Sequence, residues 1–373
     1  MTGQGGVPFT VEVSDEVLAD LRARLARTRW TDAVADGWGY GADTAYVKEL
    51  CSYWGERFDW RARERELNEL DHYRADVDGL GIHFIHQRSD RPDATVLVLL
   101  HGWPGSFVQM LKILPLLTDF HVVVPSLPGF GFSDRPTEPG MNVSKIGGLL
   151  VTLLHDVLGY DAYAVRASDL GLGVAMAMAM KDPDGVIGLH MGGSNPSIPF
   201  DHLPEDLSAA EQKMVEDAKA FQDNEYAYAK LQSTKPQSLA VGLNDSPAGL
   251  AAWITEKYQA WSDCGGQVEK AFTKDELLTT ITLYWVTQTI GSSMRLYYEN
   301  AHTPGEWGAM RAPIAMAMPP ADLFHTPREW AERQGPIARW TELARGGHFP
   351  EWEVPDLIAD DIRAFLTGLG RAG

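Results

Sequence analysis

The chemistry in this chain is concentrated in a handful of short stretches. Ala167-Ser168-Asp169-Leu170-Gly171 sits between a strand-like run and an Ala/Met-rich helical one. A nucleophile shown on a sharp strand-to-helix turn needs small residues two positions to either side, because the strained turn has no room for more. Centred on Asp169, the flanks are Ala167 and Gly171; centred on Ser168, they would be Arg166 and Leu170. The register therefore favours a carboxylate nucleophile over a serine hydroxyl. Two plainer readings compete. Asp is a common helix N-cap. A dinucleotide loop is weaker, because Gly171 and Gly173 lack the third glycine of that motif and already fall inside the helix.

His101-Gly102-Trp103-Pro104 follows a buried-strand pattern, where a hydrolase of the α/β type keeps an oxyanion-hole loop. The backbone amides of Trp103 and Leu170 would converge on developing negative charge, and such a donor is worth about 10²–10³ in rate. The alternative is an ordinary Gly-Pro turn. Arg345-Gly346-Gly347-His348-Phe349 lies after the last strand-like run and before the last helix. From there His348 can reach the elbow as general base. Among 11 histidines, its place after the last strand singles it out. The base needs an orienting carboxylate. Asp322 stands where one belongs, beyond Pro313–Ala317 and the Pro319-Pro320 turn, whereas Glu342 falls within the next strand; a capping or solvated acid is the bland option. Tyr228 and Tyr297 could donate to an ether-type oxygen, but spacing does not separate them from the other ten tyrosines.

These residues need a frame. At roughly 150 residues per domain, 373 residues amount to about two and a half domains. Apolar residues are 45% and charged residues 22%, enough to bury a large core. The net charge of −19 repels phosphate backbones and anionic lipid, arguing against nucleic-acid or membrane partners. Two cysteines, Cys51 and Cys264, make no disulfide framework and no cysteine-based zinc site, as expected of a protein from a reducing cytoplasm. The N-terminus lacks signal-peptide features, and the run Leu170–Met180 is too short to span a bilayer.

Ser14 and Asp15 can cap a first helix whose face is Val17, Leu18, Leu21 and Leu25. A polar helix is expected over 59–70, and a hairpin over 73–86 turning at Asp78-Gly79-Leu80-Gly81. After Pro92 the pattern alternates: strand 95–100, helix 107–117, strand 121–124, helix 143–157, strand 162–165, then the helix after Asp169. From about Pro196 to Ala301 it turns helical, with helices over 209–222, 247–261 and 274–298. A strand at 313–317, a helix at 327–333, a strand near 341–344 and a helix over 355–366 complete the chain. The expectation is a mostly parallel α/β sheet with a helical lid insertion and an N-terminal module. Its divisions are 1–90 for the module, 91–195 and 306–373 for the core, and 196–305 for the lid.

The chain resembles the microsomal-type epoxide hydrolases, including juvenile-hormone epoxide hydrolases and bacterial relatives. The resemblance covers nearly its whole length. Arg29-Trp30, Phe58-Asp59-Trp60-Arg61 and Ile82-His83-Phe84-Ile85-His86 match the family's N-terminal module. His101-Gly-Trp-Pro-Gly-Ser106, Pro128-Gly-Phe-Gly-Phe-Ser-Asp134, Thr234-Lys-Pro236, Leu243-Asn-Asp-Ser-Pro247, His325-Thr-Pro327 and Gly346-Gly-His-Phe349 match the remainder. The resemblance implies an α/β-hydrolase fold with Asp169 as nucleophile, His348 as base, Asp322 as its partner and Tyr228 and Tyr297 as epoxide-oxygen donors. It also implies a covalent alkyl-enzyme route to a vicinal diol, without metal or organic cofactor. Two residues depart from the family: many members have Glu at the position of Asp322, and Trp is usual at that of Leu170, so Leu170 and Trp103 would shape a different pocket wall. No counterpart of the family's microsomal membrane anchor is expected, as in a soluble bacterial-type member. The expected partner is a small apolar or aromatic epoxide, and a homodimer is one option for the assembly. A haloalkane dehalogenase also uses an aspartate nucleophile, but Leu170 cannot help to cradle a halide. A catalytically silent ligand-binding relative would have little reason to keep carboxylate, imidazole and second acid together.

Overall fold

The structure, a computed structural model, describes residues 5–193, 200–303, 305 and 310–370. Strand β1 (Val7–Pro8) and helices α1 (Asp15–Leu25), α2 (Thr44–Glu56) and α3 (Trp60–Leu67) lead to the hairpin β2 (His72–Val77) and β3 (Leu80–Gln87). Next come β4 (Val96–Leu100), β5 (His121–Pro125), α4 (Val143–Thr152), β6 (Tyr163–Ser168), α5 (Leu170–Lys181) and β7 (Val186–Gly192). A helical segment follows: α6 (Ala209–Asn224), α7 (Ala227–Thr234), α8 (Pro236–Asp245), α9 (Pro247–Trp261), α10 (Lys274–Thr287) and α11 (Ile290–His302). The chain returns to the sheet through β8 (Ile314–Met318), α12 (Arg328–Glu332) and β9 (Ile337–Glu342), then ends in α13 (Pro350–Glu353) and α14 (Pro355–Gly368). The expected start of the insertion, near Pro196, lies outside the described residues.

One nine-stranded sheet runs in the order β1-β2-β3-β5-β4-β6-β7-β8-β9. From β5 to β9 every neighbouring pair is parallel, while β3 joins β5 antiparallel and carries β2 and β1 beyond it. The N-terminal hairpin thus extends the same sheet. Strand β4 is buried throughout because alternate side chains enter different cores. Val96, Val98 and Leu100 join Val123 and Val165 on one face, whereas Leu97 and Leu99 join Val122, Val124 and Ala164 on the other.

Several elements differ from the sequence expectation. The helix expected over 107–117 is two 3₁₀ turns, Phe107–Met110 and Leu114–Leu116; Pro115, at the start of the second, has no amide to donate back to the first, so one continuous helix cannot form. The helix expected over 274–298 breaks where Gln288 takes φ 54°, so α10 and α11 are separate. The last strand begins earlier, at Ile337. Unanticipated were α2, begun by Asp43 accepting from the Ala45 and Tyr46 amides, and β7, whose apolar pattern is broken by Gly188 and His190. Helices α7 and α8 are short pieces divided by the Lys235-Pro236 junction. Among the described residues no helix is long and apolar enough to cross a membrane.

Candidate active site

Because β4, β6, β8 and β9 run parallel, the loops after their C-terminal ends share one edge of the sheet, where ligands of such folds bind. That edge brings together the loop after β4 (Trp103), the β6–α5 junction (Asp169), the loop after β8 (Asp322) and the loop after β9 (His348). Asp169 has φ 50° and ψ −130°, and its side chain makes no capping bond to α5. It therefore stands at the N-cap position of α5 with the strained backbone of an elbow and does not cap the helix with its side chain. Sterics explain its neighbours. A Cβ on Gly171 would come within 3.0 Å of the Leu100 carbonyl oxygen, and one on Gly102 within 2.4 Å of Asp169 Cβ and Oδ1.

The two carboxylate oxygens of Asp169 have different surroundings. Oδ1 accepts the Trp103 amide at 2.8 Å, and Oδ2 lies 3.3 Å from His348 Nε2. On the other side of the ring, His348 Nδ1 is 2.7 Å from Asp322 Oδ1, which also accepts the Leu323 amide at 2.8 Å. Burial alone would strip the imidazole of its proton, but the charges of Asp322 and Asp169 and the bonds to them outweigh it. They push its pKa up to about 10. The resting site thus holds an imidazolium between two carboxylates. Its backbone is also fixed. The His348 amide donates to the Trp261 carbonyl at 2.8 Å, and half-buried Glu353 accepts the amides of Gly347 and Phe349 on either side.

Tyr228 on α7 and Tyr297 on α11 meet above this edge, their rings 5.9 Å apart. Trp103 stacks on Tyr228 at 5.2 Å and 10°, and meets Tyr297 edge-on at 6.0 Å. Burial first, then the nearby Asp169 charge among other groups, holds the Tyr228 phenol well above its ordinary pKa. Burial, Tyr228 and Asp169 do the same for Tyr297. Both therefore keep the proton that a donor needs. Leu170 opens α5 directly after Asp169, so its amide is one of those a helix leaves without an internal partner. Trp261 was not singled out by sequence. At the end of α9 it packs 5.0 Å from Tyr228 and 5.3 Å from the His348 ring, and only the meeting of α9 with the histidine loop reveals it. A cavity of about 60 Å³, lined by Leu172, Met176, Met191, Met214 and Met316, adjoins the site at Gly193, which faces Asp322. Among the described residues, no group of three or more His, Cys, Asp or Glu is arranged to hold a metal ion.

Fold and site together define an α/β hydrolase whose elbow presents a carboxylate. Residues 7–110 match the epoxide hydrolase N-terminus family, and residues 95–281 match the alpha/beta hydrolase fold. The chain is 42% identical to a putative epoxide hydrolase of Stigmatella aurantiaca, covering 96% of this chain and 84% of that one. It is 35% identical to epoxide hydrolase 1 of Sus scrofa, covering 96% and 88%. The structure of Aspergillus niger epoxide hydrolase superposes with a TM-score of 0.87 at 30% identity, covering 98% of this chain and 97% of that one. The chain belongs to the microsomal-type epoxide hydrolase family.

Proposed function

We propose that this enzyme hydrates an epoxide to a vicinal diol through an ester on Asp169. Oδ2 attacks a ring carbon and the C–O bond breaks, while Tyr228 and Tyr297 donate to the departing oxygen, one of them giving it a proton and regaining one from solvent. Esterification removes one of the two charges that hold the proton on His348. Its pKa then falls from about 10 toward the ordinary imidazole range, so the ring releases its proton to solvent and can act as a base near neutrality. Oriented by Asp322, it takes a proton from water, and the resulting hydroxide attacks Asp169 Cγ. The amides of Trp103 and Leu170 hold the oxyanion at Oδ1 until the diol leaves carrying Oδ2.

The observation that carries this reading is the division of labour at Asp169. One oxygen faces a loop amide and the other an imidazole backed by a second buried carboxylate, beneath two protonated phenols. The methionine-lined cavity, and the Trp103 and Trp261 rings packed on Tyr228, support an apolar or aromatic substrate, since methionine adapts to irregular apolar shapes. Cys51 and Cys264 are both free and buried, which supports a reducing, cytoplasmic setting.

The test is a single turnover of a styrene-type epoxide in ¹⁸O-labelled water with enzyme in excess. The first diol should carry unlabelled oxygen from Asp169. Label in that first diol would mean direct attack by water and would overturn the ester route. Asp169→Asn should give no diol.

A further inference from the structure

We propose that Glu351 is a positioning residue: its buried carboxylate holds the histidine loop at working distance from the nucleophile strand and the loop after β4. This rests on the reading that Asp169 forms the ester and His348 drives its hydrolysis. Arg166 stands three residues before Asp169 on β6, and Glu351 stands three residues after His348 on α13. Their side chains are fully buried against each other. Arg166 Nε donates to Glu351 Oε1 at 2.8 Å, and Nη2 lies 2.8 Å from the same oxygen. The other oxygen, Oε2, accepts from Gln109 Nε2 at 2.8 Å. Gln109 in turn packs on Gly105, in the same loop as Trp103, so tightly that a Cβ there would come within 2.3 Å of its Oε1. One carboxylate thus spans three catalytic segments, using a separate oxygen for each neighbour.

The guanidinium cannot swing to follow the loop. Its Nη1 lies 3.1 Å from His190 Nδ1, and His190 Nε2 is 2.9 Å from Asp361 Oδ2. Asp361 also binds Arg339 at 2.6 Å and Thr341 at 2.7 Å. Strand β6 is itself paired on both sides, with β4 and β7. Arg166 is therefore the fixed end and the histidine loop the adjustable one. Glu353 has a different task. It ties that loop to itself and to the Asp263 amide beyond α9, without reaching β6. A buried ion pair is poor at adding net stability compared with apolar residues of the same volume. What it supplies is direction and a fixed length, which matter where Asp169 and His348 must cooperate.

Cutting the link should therefore slow the histidine-dependent step more than ester formation, which needs Asp169 and the phenols. The test compares wild type, R166M/E351L and Q109M by single-turnover kinetics with styrene oxide, alongside thermal unfolding. R166M/E351L removes both buried charges, so neither is left unpaired. Q109M cuts only the branch to the loop after β4. We expect the double variant to fold and to hydrolyse the ester about 10²-fold more slowly, the scale of a 1 Å misplacement. Ester formation should stay near the wild-type rate, so alkyl-enzyme accumulates and kcat and KM fall together. Q109M should shift in the same direction by less. Two results would overturn the proposal: wild-type hydrolysis in a folded double variant, or both steps in Q109M falling only in proportion to lost folded protein. A wild type that forms no ester would instead overturn the covalent reading, and this inference with it.

Discussion

A phenol can stabilise a departing oxygen only while it keeps its own proton, so in the proposed mechanism burial of Tyr228 and Tyr297 beside the Asp169 charge would serve the first chemical step directly. Tyr228 is also locked in orientation, with Trp103 stacked on its ring and Lys257 Nζ 5.1 Å from the ring centre. Tyr228→Phe keeps that packing and removes one donor. Tyr228→Phe and Tyr297→Phe should each slow ester formation by about 10²-fold. Hydrolysis of the ester, once formed, should keep its rate, because the phenols have no part in attack on Cγ. Rapid quench with mass detection of alkylated Asp169 separates the two constants. Equal loss in both would assign the tyrosines to packing instead. Ionisation of the phenols should cause no alkaline fall in ester formation up to pH about 10, the ordinary tyrosine value.

At the scale of elements, the elbow depends on how closely β4, β6 and α5 approach. An added methyl should test two different contacts. In Gly102→Ala it would collide with Asp169 itself, 2.4 Å from Cβ and Oδ1; in Gly171→Ala it would meet the backbone carbonyls of Leu100 and His101 at 3.0 and 3.1 Å. The first should displace the nucleophile and lose activity with little loss of stability. The second must push α5 off the end of β4, destabilising the fold by about 1–3 kcal/mol. Urea unfolding beside single-turnover assays would show the contrast, and equal effects on both readouts would refute it. The same sterics made the elbow legible, since small residues at 167 and 171 fit only one register. The parallel strands were legible from unbroken apolar runs such as 95–100. Strand β7 was not, because Gly188, His190 and Gly192 interrupt its run where Arg166 packs on Gly192. Helices α7 and α8 were missed because each is too short to establish a period. Nor could spacing reveal Trp261 beside His348, or Arg166 beside Glu351, because those contacts join segments far apart in sequence and exist only in the folded chain.

Across the whole molecule, folding gathers charge of one sign around one cation. The chain carries a net charge of −19, and the site places His348 between Asp169 and Asp322 at 3.3 and 2.7 Å. In the unfolded chain that imidazole has a pKa of about 6.5. In the folded protein burial works against the proton, but the two carboxylates prevail and raise the value to about 10. The native state therefore binds this proton more tightly than the unfolded state does. The resulting stabilisation is fully present below pH about 6.5 and is lost as pH rises through about 10. General repulsion among the acidic groups also changes over this range, but it does so in wild type and His348→Gln alike, so the difference between their stability curves isolates the imidazole. Urea unfolding of both proteins from pH 6 to 10.5 should give a wild-type advantage that shrinks steadily with rising pH. A constant difference would mean that the proton is not held between the carboxylates, and with it would go the reason for His348 to become a base only after Asp169 is esterified.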